Sequence, residues 1–443
     1  MALTQPESGR SLSQGQSWIA SANDAQSDFP LANLPYGVFL HAGQQHIGVA
    51  IGDQILDMHA LAETGLLKNL SHLVPACRAE WLNPLMALGP SSWSELRNLL
   101  IALLSVESDA AIRERLAPCL VTMRDVQMQL PAQIGDYTDF YASIYHARRV
   151  GELFRPDNPL LPNYKHIPIA YHGRSSSIVP SGTDIHRPFG QTKSISGNPG
   201  FGPSRSLDYE LEVGIFIGPG NHLGAPIPIG QAEKHIFGLC LVNDWSARDM
   251  QTWEYQPLGP FLAKSFATTV SCWVVPLAAL QPYRAPVFER DPGDPEPLPY
   301  LRPPCTKCGA FDLTLEVSLQ SRLMRTTGAP AIELSTTNLK HLYWTPAQML
   351  AHHTSNGCNL RPGDLLATGT VSGPEEGSEG CLLEKRHNPE ALCLPSGELR
   401  MFLEDGDRVT LRAHCSKPGQ PRIGFGECTG TVVPSTNQSQ ASH

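Results

Sequence analysis

Charge is scarce in this chain: Asp, Glu, Lys and Arg make up 17% of 443 residues, and the formal net charge is −9. An acidic balance with no basic run excludes a nucleic-acid-binding surface as the main function. No apolar stretch approaches the length of a membrane span. The start, Met1 to Ser8, lacks a basic segment followed by an apolar one, so no secretory signal is expected. Familiar catalytic signatures are missing too: there is no H-E-x-x-H, no Walker loop, no G-x-G-x-x-G and no G-x-S-x-G. The glycines of 424–430 have the wrong spacing for a dinucleotide loop. Zinc has little support, because Cys305 and Cys308 form a lone C-x-x-C between Pro303-Pro304 and Gly309. Without a second pair or a spaced His pair, four tetrahedral ligands are not assembled, and the segment reads as a surface turn. Eleven scattered cysteines, an odd number, favour reduced thiols and a cytoplasmic protein.

Turn formers are abundant instead. The chain has 38 glycines and 39 prolines, which points to many turns and a β-rich fold. Its length allows two to three domains. Residues 1–26 are rich in Ser, Gln and Asn and are expected to be loose. Short strands separated by turns follow over 36–57. Helical spacing appears at 93–104 and 110–115. Pro118 and Pro131 bracket a domain junction. Beyond it come short strands and turns, with helices expected at 233–237 and 345–354, and the polar end 435–443 is expected to be loose. The division is therefore 1–26, 27–130, 131–434 and 435–443.

The segment 207–217, Leu-Asp-Tyr-Glu-Leu-Glu-Val-Gly-Ile-Phe-Ile, reads as one apolar strand bounded by Ser206 and Gly218-Pro219-Gly220. Positions i and i+2 of a strand share a face, so Glu210 and Glu212 stand side by side. Like charges so close repel unless something positive lies between them, and a hard cation with oxygen ligands is the simplest remedy. A solvated strand face carrying two surface glutamates remains an equal reading of these residues alone. Acids and tyrosines also crowd 135–143, His146 follows Asp139 by seven positions, and Asn243-Asp244-Trp245-Ser246-Ala247-Arg248-Asp249 leads into Gln251, Tyr255 and Lys264. Each of these has an ordinary structural explanation when taken singly. Composition and spacing support a soluble, β-rich, metal-binding protein and go no further.

A resemblance adds the rest. Asp28-Phe29-Pro30, 33–39, Ile134-Gly135-Asp136-Tyr137-Thr138-Asp139-Phe140-Tyr141, Tyr171-His172-Gly173-Arg174, the Glu210/Glu212 strand, 243–249, 257–266, 359–370 and 422–426 together resemble the fumarylacetoacetase family over most of the chain. The resemblance implies a β-rich α+β homodimer, in which a small N-terminal SH3-like barrel with a helical extension precedes a larger mixed β-roll catalytic domain. It implies hydrolytic C–C cleavage of 4-fumarylacetoacetate to fumarate and acetoacetate, the last step of tyrosine and phenylalanine breakdown. Asp139, Glu210, Glu212 and Asp244 match the family's metal-binding carboxylates, for Ca²⁺ or Mg²⁺, and Lys264 and Thr268 match a second cation position near Asp244. His146 matches the general base and Glu384 the carboxylate that orients it. Arg248, Gln251 and Lys264 match the groups that stabilise the tetrahedral intermediate and departing carbanion. Tyr141, Arg155, Tyr171, Gln251, Tyr255 and Thr370 match substrate contacts. The stretches 191–205 and 282–307 and the Ile144-Tyr145 pair depart from the family pattern, and Glu384 is reached only across the glycine-rich 373–380 loop. An acylpyruvate or other diketone hydrolase, or a non-catalytic metal-binding member, would share the same acid cluster.

Overall fold

The computed structural model describes residues 15–193, 197–387 and 391–436. The N-terminal part is built on a five-stranded antiparallel sheet, in the order Leu120–Thr122, Gln54–Asp57, Gln44–Ile51, Tyr36–His41, Gln127–Gln129. Its first hairpin turns on Ala42 and Gly43, at φ 50 and 80, the left-handed pair that a two-residue turn between twisted strands requires. Asp57 caps the helix Met58–Glu63 by accepting from the N–H groups of His59 and Ala60. The helix expected at 93–104 runs from Pro90 to Leu104 and buries Leu96, Leu100, Ile101 and Leu104 on one face. The one expected at 110–115 is Ala110–Leu116.

Residues 15–26 are not loose, contrary to expectation. Ser17 Oγ donates to Leu104 O at 2.7 Å and Trp18 Nε1 donates to Leu103 O at 3.0 Å, while Ile19 and Ala22 are buried. The last carbonyls of a helix have no intrahelical partner, and this polar segment satisfies two of them. The rest of that stretch, 1–14, and most of the tail, 437–443, lie outside the described residues.

The larger part holds two sheets. An eight-stranded mixed sheet runs Ala170–His172, Tyr137–Phe140, Leu365–Ala367, Leu211–Ile217, Ile236–Asp244, Thr268–Val270, Ile178–Pro180, with Val275–Pro276 also paired to Ile236–Asp244. A five-stranded sheet runs Ile332–Asn338, Thr314–Gln320, Arg408–Cys415, Ile423–Val433, Asp184–His186. Thr314–Gln320 alternates buried and half-buried residues, as a strand with one covered face does. Leu211–Ile217 and Ile236–Asp244 are buried throughout, because both faces of their sheet are covered. On one side lies the core shared with the second sheet, centred on Trp245, Leu315, Leu411 and Phe425. On the other, Val38, Val49 and Leu100 of the N-terminal part share a core with Phe216, Phe237, Val242 and Val274. Gly430 permits the close packing of Trp245, since a Cβ there would lie 2.6 Å from the indole.

Three further expectations are corrected. The strand 207–217 is interrupted: Leu207–Asp208 pairs with Ser246–Ala247, whereas Leu211–Ile217 pairs with Ile236–Asp244, so Tyr209 and Glu210 bridge a change of partner. Residues 233–237 are not an α-helix. A 3₁₀ segment, Ile229–His235, gives way at Ile236 to the long buried strand, whose β-branched and aromatic residues prevail. Cys305 and Cys308 are joined in a disulfide, their turn bringing the Cα atoms to 5.6 Å; the other nine cysteines are free. The helix expected at 345–354 is Pro346–Thr354, held by a capping box of Thr345 and Gln348.

Asn33 ties the two parts together. Its side chain is fully buried and Nδ2 donates to Asp28 O and Gly424 O, both at 2.7 Å. Asn33→Ala takes a donor from the buried Gly424 carbonyl, while Asp28 O keeps the N–H of Gly424 at 2.8 Å, and is expected to cost about 1–3 kcal/mol of stability. Chemical denaturation would read this as a lower midpoint at unchanged slope.

Candidate active site

Four carboxylates converge at one end of the eight-stranded sheet. Asp139 is the last residue but one of its strand, directly opposite Tyr171, Glu212 is the second residue of its strand, and Asp244 closes the neighbouring one. Glu210 joins them from the break: its N–H donates to Asn243 Oδ1 at 3.2 Å and its carbonyl accepts from Asp244 N at 3.3 Å. One oxygen from each of Asp139, Glu210, Glu212 and Asp244 lies within 4.8 Å of the others, and all four residues are buried.

The four differ in their partners. Lys264 Nζ lies 2.5 Å from Glu210 Oε2 and 2.6 Å from Asp244 Oδ2, and Arg248 Nη1 lies 2.6 Å from Glu210 Oε1. Tyr171 OH donates to Asp244 Oδ2 at 2.9 Å and Thr268 Oγ1 to Asp244 Oδ1 at 3.1 Å. Burial pushes the Glu210 carboxyl up, but Lys264 and Arg248 outweigh it and hold it far below the usual range. Asp139 Oδ1 and both oxygens of Glu212 are buried with no hydrogen-bond partner. Burial, then the neighbouring Asp244 charge for Asp139 and the Asp139 charge for Glu212, push these two carboxyls well above the usual range. An all-oxygen donor set with three orphaned carboxylate oxygens fits a hard divalent cation. Lys264 and Thr268 meet Asp244 through a positive ammonium and a donating hydroxyl, so their side chains act there as an ion-pair partner and a hydrogen-bond donor.

His146 stands beside this cluster on the helix Ile144–Phe154, whose N-cap is Ser143. Its Nδ1 lies 2.7 Å from Glu384 Oε1, which also accepts from Ser372 Oγ at 2.7 Å and from Cys381 Sγ at 3.5 Å. Arg149 Nη1 donates to the other oxygen of Glu384 at 3.2 Å. Burial raises the Glu384 carboxyl, but His146, Ser372 and Arg149 together hold it below the usual range. An ionised Glu384 accepts a hydrogen bond from the Nδ1–H of His146, which leaves Nε2 for a reactant.

These groups meet in a cavity of about 380 Å³ lined by Asp139, Tyr141, His146, Arg155, Tyr171, Glu210, Arg248, Gln251, Tyr255, Lys264 and Thr370. Glu212, Asp244, Thr268 and Glu384 are not among its lining residues: Asp244 bonds Lys264 and Glu384 bonds His146, Glu212 lies within 4.8 Å of Asp139 and Glu210, and Thr268 stands behind Asp244. The structure thus gathers every residue that the sequence reading singled out. Gln251 Oε1 accepts from Arg248 Nη1 at 3.1 Å. Arg155 caps the C-terminal end of the His146 helix, Nη2 donating to Pro159 O at 3.3 Å while its buried Nε has no partner. Gly151 makes that turn possible, since a Cβ would lie 2.0 Å from Pro159 O. Gly369, at φ 72, brings Thr370 to the wall, and the buried Thr370 Oγ1 has no partner.

Two family models account for nearly all of this architecture. Fumarylacetoacetase N-terminal matches residues 32–131, and fumarylacetoacetate (FAA) hydrolase C-terminal matches residues 137–433. The chain belongs to the fumarylacetoacetase family. Curated relatives named fumarylacetoacetase include those of Homo sapiens, 49% identical over 94% of this chain and 99% of the relative, and of Caenorhabditis elegans, 51% identical over 92% and 97%. That of Arabidopsis thaliana is 48% identical over 93% and 97%. Among solved structures, a fumarylacetoacetate hydrolase of psychrophilic Exiguobacterium antarcticum has the same fold, with a TM-score of 0.50 at 16% identity over 90% of this chain and 99% of that one.

The sequence reading of this fumarylacetoacetase-family site missed several groups: Asp208, Arg149, Ser372 and Cys381. It also missed the helices Ile144–Phe154 and Arg248–Glu254 that carry His146 and Arg248. Ser143 before Ile144 is an N-cap signal that could have marked the first helix. Asp208 shares a face with Glu210 by the same alternation that singled out the acid pair.

Proposed function

We propose that the chain is a fumarylacetoacetase, hydrolysing 4-fumarylacetoacetate to fumarate and acetoacetate at the end of tyrosine and phenylalanine breakdown. One observation carries the reading: a His–carboxylate pair opens on the same cavity as a cluster of buried carboxylates fit for a hard cation. Asp139, Glu210, Glu212 and Asp244 would hold Ca²⁺ or Mg²⁺, which would supply Lewis-acid polarisation of the substrate's carbonyl.

The protein's own groups do the rest. His146 Nε2 takes a proton from water as the hydroxyl adds to the fumaryl carbonyl carbon, while Glu384 holds the ring and stabilises the imidazolium. Arg248, Gln251 and Lys264 stabilise the negative charge that develops on oxygen, a role for which one preorganised donor is worth about 3–4 kcal/mol. The C–C bond then breaks, its electron pair leaves with acetoacetate, and the proton on His146 returns to that carbon. Arg155 offers a planar fork to the fumaryl carboxylate, and Tyr141, Tyr171, Tyr255 and Thr370 line the substrate. The N-terminal sheet corresponds to the small SH3-like barrel of the family, the boundaries 27–130 and 131–434 to its two domains, and a cytoplasmic homodimer to its working form. No described helix is long and apolar enough to cross a membrane.

Loss of the diketone absorbance tests the reading. Turnover of fumarylacetoacetate should disappear on chelation and return with Ca²⁺ or Mg²⁺, with fumarate and acetoacetate as products. No cleavage with cation present would move the protein to another diketone, and acylpyruvates would be assayed next.

A further inference from the structure

Asp208 does no chemistry in the scheme above and is fully buried. Its carboxylate nevertheless accepts four hydrogen bonds. Oδ1 takes Tyr209 N and Leu382 N, both at 2.9 Å. Oδ2 takes Leu383 N at 3.0 Å and Arg248 Nε at 2.9 Å. A carboxylate has about four lone-pair sites, so Asp208 is saturated. Its partners come from two separate stretches of the site. One is Arg248, at the start of the helix Arg248–Glu254; the other is the turn whose next residue is Glu384.

We propose that Asp208 is a positioning residue that sets Arg248 and the Glu384–His146 pair in register with each other. The proposal rests on the fumarylacetoacetase reading and goes one layer beneath it. Asp208 acts on Arg248 through its donors. Nε is committed to Asp208 and Nη1 to Glu210 and Gln251, which fixes the guanidinium plane and leaves Nη2 as its buried donor without a partner. It acts on Glu384 through the backbone. Two consecutive N–H groups, at Leu382 and Leu383, are pinned to the same carboxylate, so the chain enters Glu384 from a fixed point. Stabiliser and base-orienting group therefore hang from one side chain. A shift of about 1 Å in such groups costs about 10²-fold in rate.

Asp208→Asn is the direct test, in the full-length protein loaded with Ca²⁺. The amide keeps the size of the carboxylate, but whichever way it turns, its NH₂ faces two N–H donors. The expected result is a kcat about 100-fold lower, at a KM within threefold of the parent and an unchanged Ca²⁺ affinity. A purely structural role lowers the folded fraction and multiplies through every background. A positioning role does not: in an Arg248→Lys or a Glu384→Gln background, Asp208→Asn should cost less than threefold in kcat. Multiplicative losses in both backgrounds, or a kcat within threefold of the parent, would overturn the proposal. Should Asp208→Asn fail to fold, Asp208→Glu decides. It keeps the charge and moves the carboxylate by one methylene, so positioning requires a kcat loss of at least tenfold, and parental kcat refutes it. Absence of turnover in the parent overturns the functional reading and this role with it; parental kcat in the Asp208 variant of an active enzyme overturns this role alone.

Discussion

His146→Ala should lower kcat by about 10²–10⁴-fold, the range that a positioned general base contributes. Two neighbouring groups are poorly placed to replace it. The Cys381 thiol is kept neutral by burial and by the Glu384 charge, and Lys264 is held protonated by Asp244 and Glu210. The four clustered carboxylates make no hydrogen bond to His146, so Ca²⁺ affinity, measured by calorimetry, should change less than threefold. Separating the two readouts identifies the role: loss of turnover with intact cation binding is the signature of a base. Activity near that of the parent would remove His146 from the chemistry and place water activation elsewhere.

Glu212→Gln should act in the opposite sense on binding and on stability. Both Glu212 oxygens are buried without a donor, and burial and Asp139 push the carboxyl well above its usual range. Without a cation this residue is a cost to the fold, because an unpaired charge is expensive to bury. An amide removes the charge and can donate to the carboxylates beside it. The cation-free variant is therefore expected to melt higher than the cation-free parent. Its cation affinity and its turnover should fall together, by at least about tenfold, because one of four oxygen ligands has become neutral. Thermal melts with and without Ca²⁺ read both effects at once. A variant that loses activity at unchanged Ca²⁺ affinity would show that Glu212 is not a ligand.

What could be read from the sequence follows from the range of the interactions involved. The helix Pro90–Leu104 was legible because Leu96, Leu100 and Leu104 recur at helical spacing, and Pro346–Thr354 because Thr345 and Gln348 form a local cap. The pairing of Glu210 with Glu212 was legible from the period of a strand, although the strand breaks at Tyr209–Glu210. That break has no local cause: Asp208 is drawn toward Ser246, and Leu211 toward Asn243. The Ile144–Phe154 helix was hidden by Gly151, a poor helix former that is there for the approach of Pro159. The packing of residues 15–26 was hidden because their partners are carbonyls at the end of a helix, groups that composition does not report. Most of the cavity came into view through family resemblance rather than spacing, since nothing in the periodicity of the chain links His146 to Glu384.

That last pair has a consequence during synthesis. His146 and Glu384 are 238 residues apart in the chain, and the strand carrying Asp139 lies parallel to Leu365–Ala367. Ribosomes add about 5–20 residues per second. The histidine therefore emerges roughly 10–50 s before the carboxylate that orients it, and the Asp139 strand waits almost as long for its neighbour. Through that interval the nascent chain holds acids, arginines and a histidine that have no fixed relation to one another. The catalytic centre comes into being only when the last fifth of the chain threads back through the first half.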